Sequence, residues 1–193
     1  MNKQLSAMQL ETERLIIRPY SEDDFAASFQ LMQNPEQLTY MHMDVMSAAD
    51  YRGLFNWLLS SYDTPFNKPF KYSFAICDKM TGALIGWCGL GVLDFKAPDC
   101  EIYYLIGRDY WGCGYATEAA AALVAYAFDV IGLNQLLAKA DPRNTASLNV
   151  LEKLGFVFDH VLEGLTGDDE DCNGELLYVL RKENLISIER GRY

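Results

Sequence analysis

The chain has 193 residues, half of them apolar and 22% charged, a composition that suits one soluble globular domain, 1–193, with a substantial core. Acidic residues outnumber basic ones 27 to 16, a formal charge of -11. That balance disfavours nucleic acid and anionic membrane surfaces as partners, and suits a cationic amine or a basic peptide.

The opening stretch "MNKQLSAMQLETERL" has no apolar core of signal-peptide type, and the longest apolar run, Ala119 to Phe128, is too short to span a bilayer. Then "RLIIRPY" (14–20) alternates and is β-branched, which predicts a first strand. "SEDD" (21–24) opens a helix, with a serine cap and acids in the first turn. A second helix is expected over 48–60, followed by a proline-marked loop, "SYDTPFNKPF". "KYSFAIC" and "ALIGWCGLGVL" are joined by five residues ending in Gly82 and read as a hairpin. "CEIYYLI" (100–106) is another strand. The loop "RDYWGCGYATEA" leads into a helix over about 115–131, with Gly132 placed to end it. "QLLAKA" is a strand, "DPRNTASLNVLEKLGF" a capped helix ending at Gly155, and "FVFDHVLEG" and "ELLYVLR" two last strands around the acidic loop "TGDDEDCNG". The expected fold is therefore α/β (α+β): a mixed sheet of about seven strands with helices, not an alternating doubly wound array.

Five cysteines (Cys77, Cys88, Cys100, Cys113, Cys172) form no CxxC pair and are odd in number. They read as reduced thiols in a cytoplasmic protein rather than a disulfide framework or zinc site. Only His42 and His160 offer imidazole, so no metal is expected.

The stretch "WGCGYA" is the local feature that points to a ligand. Gly112 and Gly114 permit positive φ and carry no Cβ, so successive N–H groups can face one concavity. The helix behind them adds unsatisfied N–H groups and the positive end of its dipole. A phosphate is the natural guest, and backbone donors let it bind within an acidic chain. Arg108 lies just upstream, and Lys139, Arg143 and Lys153 are candidates to stand nearby. A dinucleotide fingerprint would need Gly or Ala where Thr117 stands, and a Walker loop would need Lys-Ser/Thr after the second glycine. A plain glycine-rich turn into a buried helix is the competing reading.

With "RDYWGCGYATEA" after "EIYYLI", the sequence resembles the GNAT acyltransferase superfamily, and most closely its ribosomal-protein N-terminal (RimJ/RimL-type) acetyltransferase branch. "TERLIIRPYSEDD" resembles that branch's opening strand and helix start, "NTASLNVLEKLGF" its acyl-CoA-binding helix and "NGELLYVL" its last strand. The resemblance implies a single GNAT domain whose sheet is twisted, mostly antiparallel and flanked by helices on both faces. It implies acetyl-CoA as cosubstrate, its pyrophosphate on the loop Trp111, Gly112, Cys113, Gly114, Tyr115, Ala116 and Thr117. Trp111 replaces the superfamily's usual Gln or Arg, but an aromatic is usual in this branch. The pantetheine would pair with the edge of the strand Ile102, Tyr103, Tyr104, Leu105 and Ile106. Asn144 resembles the asparagine that bonds the pantetheine and suits a helix N-cap as well.

Acetyl transfer to an amine needs a proton acceptor, because amines are mostly ammonium at neutral pH, and a donor for the tetrahedral oxyanion. The resemblance makes Glu101, at the start of the central strand, the expected base, acting through water once its pKa is raised. His160 and Glu175 are weaker candidates. The tyrosine that many superfamily members carry four residues before the helix-ending glycine is Leu151 here. Ser147, one turn earlier, is the expected donor to the leaving sulfur. Cys113 at a helix N-terminus is a remote candidate nucleophile. The acidic run 167–175 is a solvated loop or a lip for a cationic acceptor, and Trp57 and the tyrosines near the second helix are core or cleft lining. The function implied is an N-acetyltransferase acting directly on a primary amine, foremost a protein N-terminus. A polyamine, aminoglycoside or amino acid is the alternative acceptor, and a non-catalytic acyl-CoA-binding module the alternative class. Monomer and homodimer stay equally open.

Overall fold

The computed structural model describes Leu5 and residues 8–184. Among these residues, eight strands form one mixed sheet in the order β1-β2-β3-β4-β5-β6-β8-β7. They are β1 (Leu10–Glu11), β2 (Leu15–Pro19), β3 (Lys71–Asp78), β4 (Leu84–Val92), β5 (Cys100–Ile106), β6 (Gln135–Ala140), β7 (Val157–Val161) and β8 (Leu176–Arg181). The mixed, mostly antiparallel sheet is as expected, with one strand more than the expected seven. The addition is β1, two residues held by pairing Leu10 with Ile17, too short to carry a periodicity of its own.

Among the described residues, the sheet is accompanied by the helices α1 (Phe25–Leu31), α2 (Pro35–Leu38), α3 (Ala48–Ser61), α4 (Tyr115–Tyr126) and α5 (Thr145–Lys153). The predicted helix at "SEDD" begins as a 3-10 turn, Glu22–Asp24. Asp24 is occupied there: it accepts from the Ser21 N–H and hydroxyl (2.8 and 2.9 Å) and from the fork of Arg18 (2.7 and 2.8 Å). The four-residue α2 was not foreseen; Asn34 caps it through Glu36 N–H, and Pro35 supplies its first position. Behind α4, residues Ala127–Ile131 form a π-helical turn that Gly132 ends at φ 84°. Ala119, Ala120 and Leu123 are fully buried, and the small side chains let α4 lie close on β5, β2 and β4. Among the described residues no helix is long and apolar enough to cross a membrane.

Two backbone features shape the centre of the sheet. A side chain at Gly89 would run into the ring of Tyr103 and the carbonyl of Tyr72. Its absence lets Tyr103 lie across β4 and donate to the Tyr72 carbonyl at 2.9 Å. More consequential is the junction of β5 and β6, the parallel pair of the sheet, which meet in register at Glu101 and Leu137. Every other neighbouring pair is antiparallel and longer or at the sheet's edge. Past Glu101 the two strands part, and the β5 edge from Ile102 onward turns towards an opening.

Candidate active site

Two cavities flank that opening. The first, about 480 Å³, has the glycine loop as one wall. Gly112 and Gly114 take φ 74° and 81°, in the left-handed region where a side chain is strained. Gly114 is also the N-cap of α4 and offers no side-chain acceptor, so the N–H groups of the first turn keep their capacity for a guest. Trp111, Gly112, Gly114, Tyr115, Ala116 and Thr117 border this cavity, with Tyr104, Leu105 and Ile106 of β5 beside them. Arg143 and Lys153 border it from the α5 side. Backbone donors, a helix N-terminus and two cations fit a diphosphate.

The loop is fastened from outside. Arg14 donates Nη1 to the Cys113 carbonyl (2.9 Å) and Nε to Glu118 (2.7 Å), and its guanidinium lies 4.4 Å above the Tyr115 ring. Glu118, in the first turn of α4, also accepts from Thr12 Oγ1 (2.5 Å) and Arg14 N–H (2.8 Å). These bonds hold the Glu118 carboxyl below its ordinary pKa against the effect of burial. Trp111 is anchored by its indole N–H on the Ile106 carbonyl (2.6 Å), with Arg108 stacked over it at 4.7 Å. Cys113 borders neither cavity and its side chain is exposed. Cys113→Ala should therefore keep activity within about twofold, as surface substitutions do. Loss of turnover together with a trappable acetyl-enzyme in the parent protein would show that transfer is not direct.

The second cavity, about 330 Å³, lies on the other side of the opening, with Trp57, Tyr51 and Trp87 among its aromatic walls. Glu101 is 6% exposed and lines it. Burial raises its pKa above the ordinary carboxylate value; Lys139 and Lys71 pull the other way, and Glu175 and Asp94 add to the rise. Lys71 Nζ stands 3.7 Å from Glu101 Oε1. Lys139 and Glu175 line the same cavity, 3.4 Å apart. Burial opposes the charge on Lys139, but Glu101 and Glu175 outweigh it, so the ammonium titrates above the ordinary lysine value.

Tyr40, Met41, Tyr104, Asn144 and Ser147 border both cavities and mark where they join. The Asn144 side chain accepts from the Ser147 N–H at 3.1 Å, capping α5. The Ser147 hydroxyl meets the Tyr104 hydroxyl at 3.0 Å. Burial pushes the Tyr104 phenol up to about 12, with the Ser147 bond acting against it, so it stays protonated. Leu151 is buried at the edge of the second cavity and donates nothing.

The structure thus brings Glu101, Ile102, Tyr103, Tyr104, Asn144 and Ser147 to one place, with Leu105, Ile106 and the glycine loop adjoining. It does not bring His160, which is exposed on β7 and bonded to Asp159 (2.8 Å). Of the acidic run 167–175, Glu175 reaches the cavity. Lys139 faces the second cavity rather than the loop, and Arg108 pairs with Glu36 (3.1 Å). Lys71, His42 and the Tyr104 hydroxyl were not foreseen. For Tyr104 a usable signal existed, since strand alternation sets it opposite Glu101 and Tyr103. Among the described residues no group of three or more His, Cys, Asp or Glu side chains is placed to hold a metal.

A family model described as an acetyltransferase (GNAT) domain matches residues 14–157. A Bacillus licheniformis protein named as uncharacterized N-acetyltransferase p20 is 36% identical over 174 residues, covering 88% of this chain and 92% of that one. The spermidine N(1)-acetyltransferase of Escherichia coli K12 is 26% identical over 141 residues, covering 72% and 71%. Among solved structures, an acetyltransferase (GNAT family) from Bacillus anthracis superposes with a TM-score of 0.76 at 24% identity, over 91% of this chain and 99% of that one.

Proposed function

The chain belongs to the GNAT acetyltransferase family, whose cosubstrate is acetyl-CoA, and we propose that its acceptor is the α-amine of a peptide or protein N-terminus of ribosomal-protein type, acetylated in the cytoplasm by a single domain. The observation that carries this reading is the charge state of the second cavity. Each of its carboxylates already faces a cation: Glu101 faces Lys71, Glu175 faces Lys139, and Asp141 is forked by Arg143 at 2.6 Å. A polyamine would bring several charges to a pocket with little net charge to meet them. One amine on an apolar body suits it, with the body against Met41, Met43 and Trp57.

In this reading Glu101 accepts the ammonium proton, directly or through one water. The neutral amine then attacks the thioester carbonyl and the C–N bond forms; as the tetrahedral intermediate collapses the C–S bond breaks, and the surplus proton of the attacking nitrogen passes to the departing thiolate. The β5 edge at Ile102–Ile106 takes the amides of the pantetheine arm, and Asn144 lies beside it. Ser147, its hydroxyl held by Tyr104, donates to the leaving sulfur. Ser147→Ala should slow turnover by about tenfold, since one neutral hydrogen bond is worth roughly 1 kcal/mol. The loss should shrink with acyl donors that have a better leaving group; an equal loss for every donor would put Ser147 elsewhere in the mechanism.

Thiol release from acetyl-CoA against peptides, monoamines, aminoglycosides and polyamines tests the acceptor. Peptides with an apolar first residue should give the highest kcat/KM. A polyamine turned over faster than every peptide would overturn the reading.

A further inference from the structure

Lys71 opens β3, and Glu101 stands near the start of β5, with β4 between them. The register sets Lys71 opposite Gly91 of β4 and Gly91 opposite Glu101, one row across three antiparallel strands. Residues directly opposite one another point to the same face of a sheet, so the middle residue of such a row normally parts the outer two. Gly91 has no side chain to do so. A Cβ there would stand 2.6 Å from Lys71 Cγ, closer than two carbon atoms approach. The lysine stem therefore occupies the gap, and its Nζ comes within 3.7 Å of Glu101 Oε1. That distance is too long for a hydrogen bond but short for two opposite charges. The carboxylate oxygen keeps its lone pairs for an incoming proton while the ammonium stabilises its charge.

A general base must be ionised before it can accept a proton, and burial works against that at Glu101, which is 6% exposed. Charges act on it from four other elements: Lys139 of β6, Lys71 of β3, Glu175 ahead of β8 and Asp94 in the 3-10 turn after β4. Cys100 and Tyr103 of its own strand are held protonated by burial, and His42 meets Glu175 instead. Lys139 is the stronger of the two cations, but it stands 3.4 Å from Glu175, which acts on Glu101 in the opposite sense. Lys71 has Glu101 as its carboxylate partner, and its side chain is 43% exposed, so its own charge costs little desolvation. We infer that Lys71, laid through the gap at Gly91, is a positioning residue of the reaction, keeping Glu101 in its charged, proton-accepting form. The inference rests on Glu101 being the base.

The test is the pH dependence of kcat with the best acceptor of the panel. Lys71→Met keeps the stem and deletes the charge, and should move the acid limb set by Glu101 to higher pH. At a pH on that limb the variant should lose about three- to tenfold, the small end of what an opposite charge does to a carboxyl, since a half-exposed lysine is screened by water. The loss should vanish at alkaline pH, where Glu101 is ionised without help; a merely structural role would lower the rate at every pH. Lys71→Arg, which keeps the charge, should hold the limb near its parental position. A direct action of Lys71 on the acceptor ammonium would persist in a Glu101→Gln background, whereas here Lys71→Met should leave the pH dependence of that background unchanged. An unmoved limb in Lys71→Met, an equal loss at every pH, or the same displacement with and without Glu101 would overturn the inference while leaving Glu101 as the base. Parental turnover by Glu101→Gln, or no thiol release with any acceptor, would overturn both together.

Discussion

Glu101→Gln should lower kcat by roughly two to four orders of magnitude, the usual worth of a general base, and should leave acetyl-CoA affinity nearly unchanged. The side chain lines the second cavity and not the one bounded by the glycine loop, so binding on the loop does not depend on it. Its pKa is raised, first by burial and then by Glu175 and Asp94, despite Lys139 and Lys71. The base works only when ionised. Activity should therefore fall as pH drops through that raised value, on a limb lying above the ordinary carboxylate range, and the glutamine variant should lack the limb. The remaining rate of the variant should climb with pH, because more of the acceptor amine is then neutral without help. Stability gives a second readout with its own sign. A carboxyl whose folded pKa exceeds its unfolded value binds its proton more tightly when folded, so its contribution is complete below the unfolded pKa and is lost as pH rises through the folded one. The parent protein should lose stability across that window relative to Glu101→Gln. A variant with parental turnover from mildly acidic to alkaline pH would make Glu101 an ordinary buried acid, with Glu175 or an ordered water next in line as base.

How far the sequence alone reaches can be read from particular residues. The bounds of β5 and β6 followed from alternation and from the flanking turns, and the glycine loop with its helix followed from glycine's freedom at φ 74° and 81°. These are local properties. The GNAT fold came from resemblance, and the mixed sheet and the family match bear it out. The second cavity is not local. Lys71 comes from β3, Lys139 from β6 and Glu175 from the turn before β8; Lys71 reaches Glu101 across Gly91 of β4, and the pairing of β6 with β8 sets Lys139 near Glu175. Lys139 was expected near the loop, yet it lines the second cavity beside Glu175. Arg14 and Glu118 stand 104 positions apart, and no spacing rule connects them. The short helix α2 escaped because four residues carry too little periodicity to be read.

Gly114→Val should abolish the stabilisation that acetyl-CoA gives. At a ligand concentration about a hundred times Kd, binding to the folded state contributes about 2.7 kcal/mol, or roughly 5–10 °C in melting temperature for a chain of this size. Valine is strained at φ 81°, and the cheapest relief is to turn the Cys113–Gly114 peptide, which removes N–H groups from the cavity. Arg14 resists that relief, since it holds the Cys113 carbonyl at 2.9 Å and is itself fixed by Glu118. The variant should accordingly melt somewhat lower even without ligand, and the informative quantity is the shift on adding acetyl-CoA. Kinetics separates a damaged cradle from a damaged fold. Acetyl-pantetheine carries the thioester and the amide arm but no diphosphate, so Gly114→Val should raise the KM for acetyl-CoA towards that for acetyl-pantetheine and leave the latter nearly unmoved. Arg14→Ala should act in the same direction more mildly, because it loosens the loop without straining it. If Gly114→Val keeps a parental acetyl-CoA shift, or impairs both donors equally, the loop is only a turn into a buried helix and the diphosphate lies elsewhere.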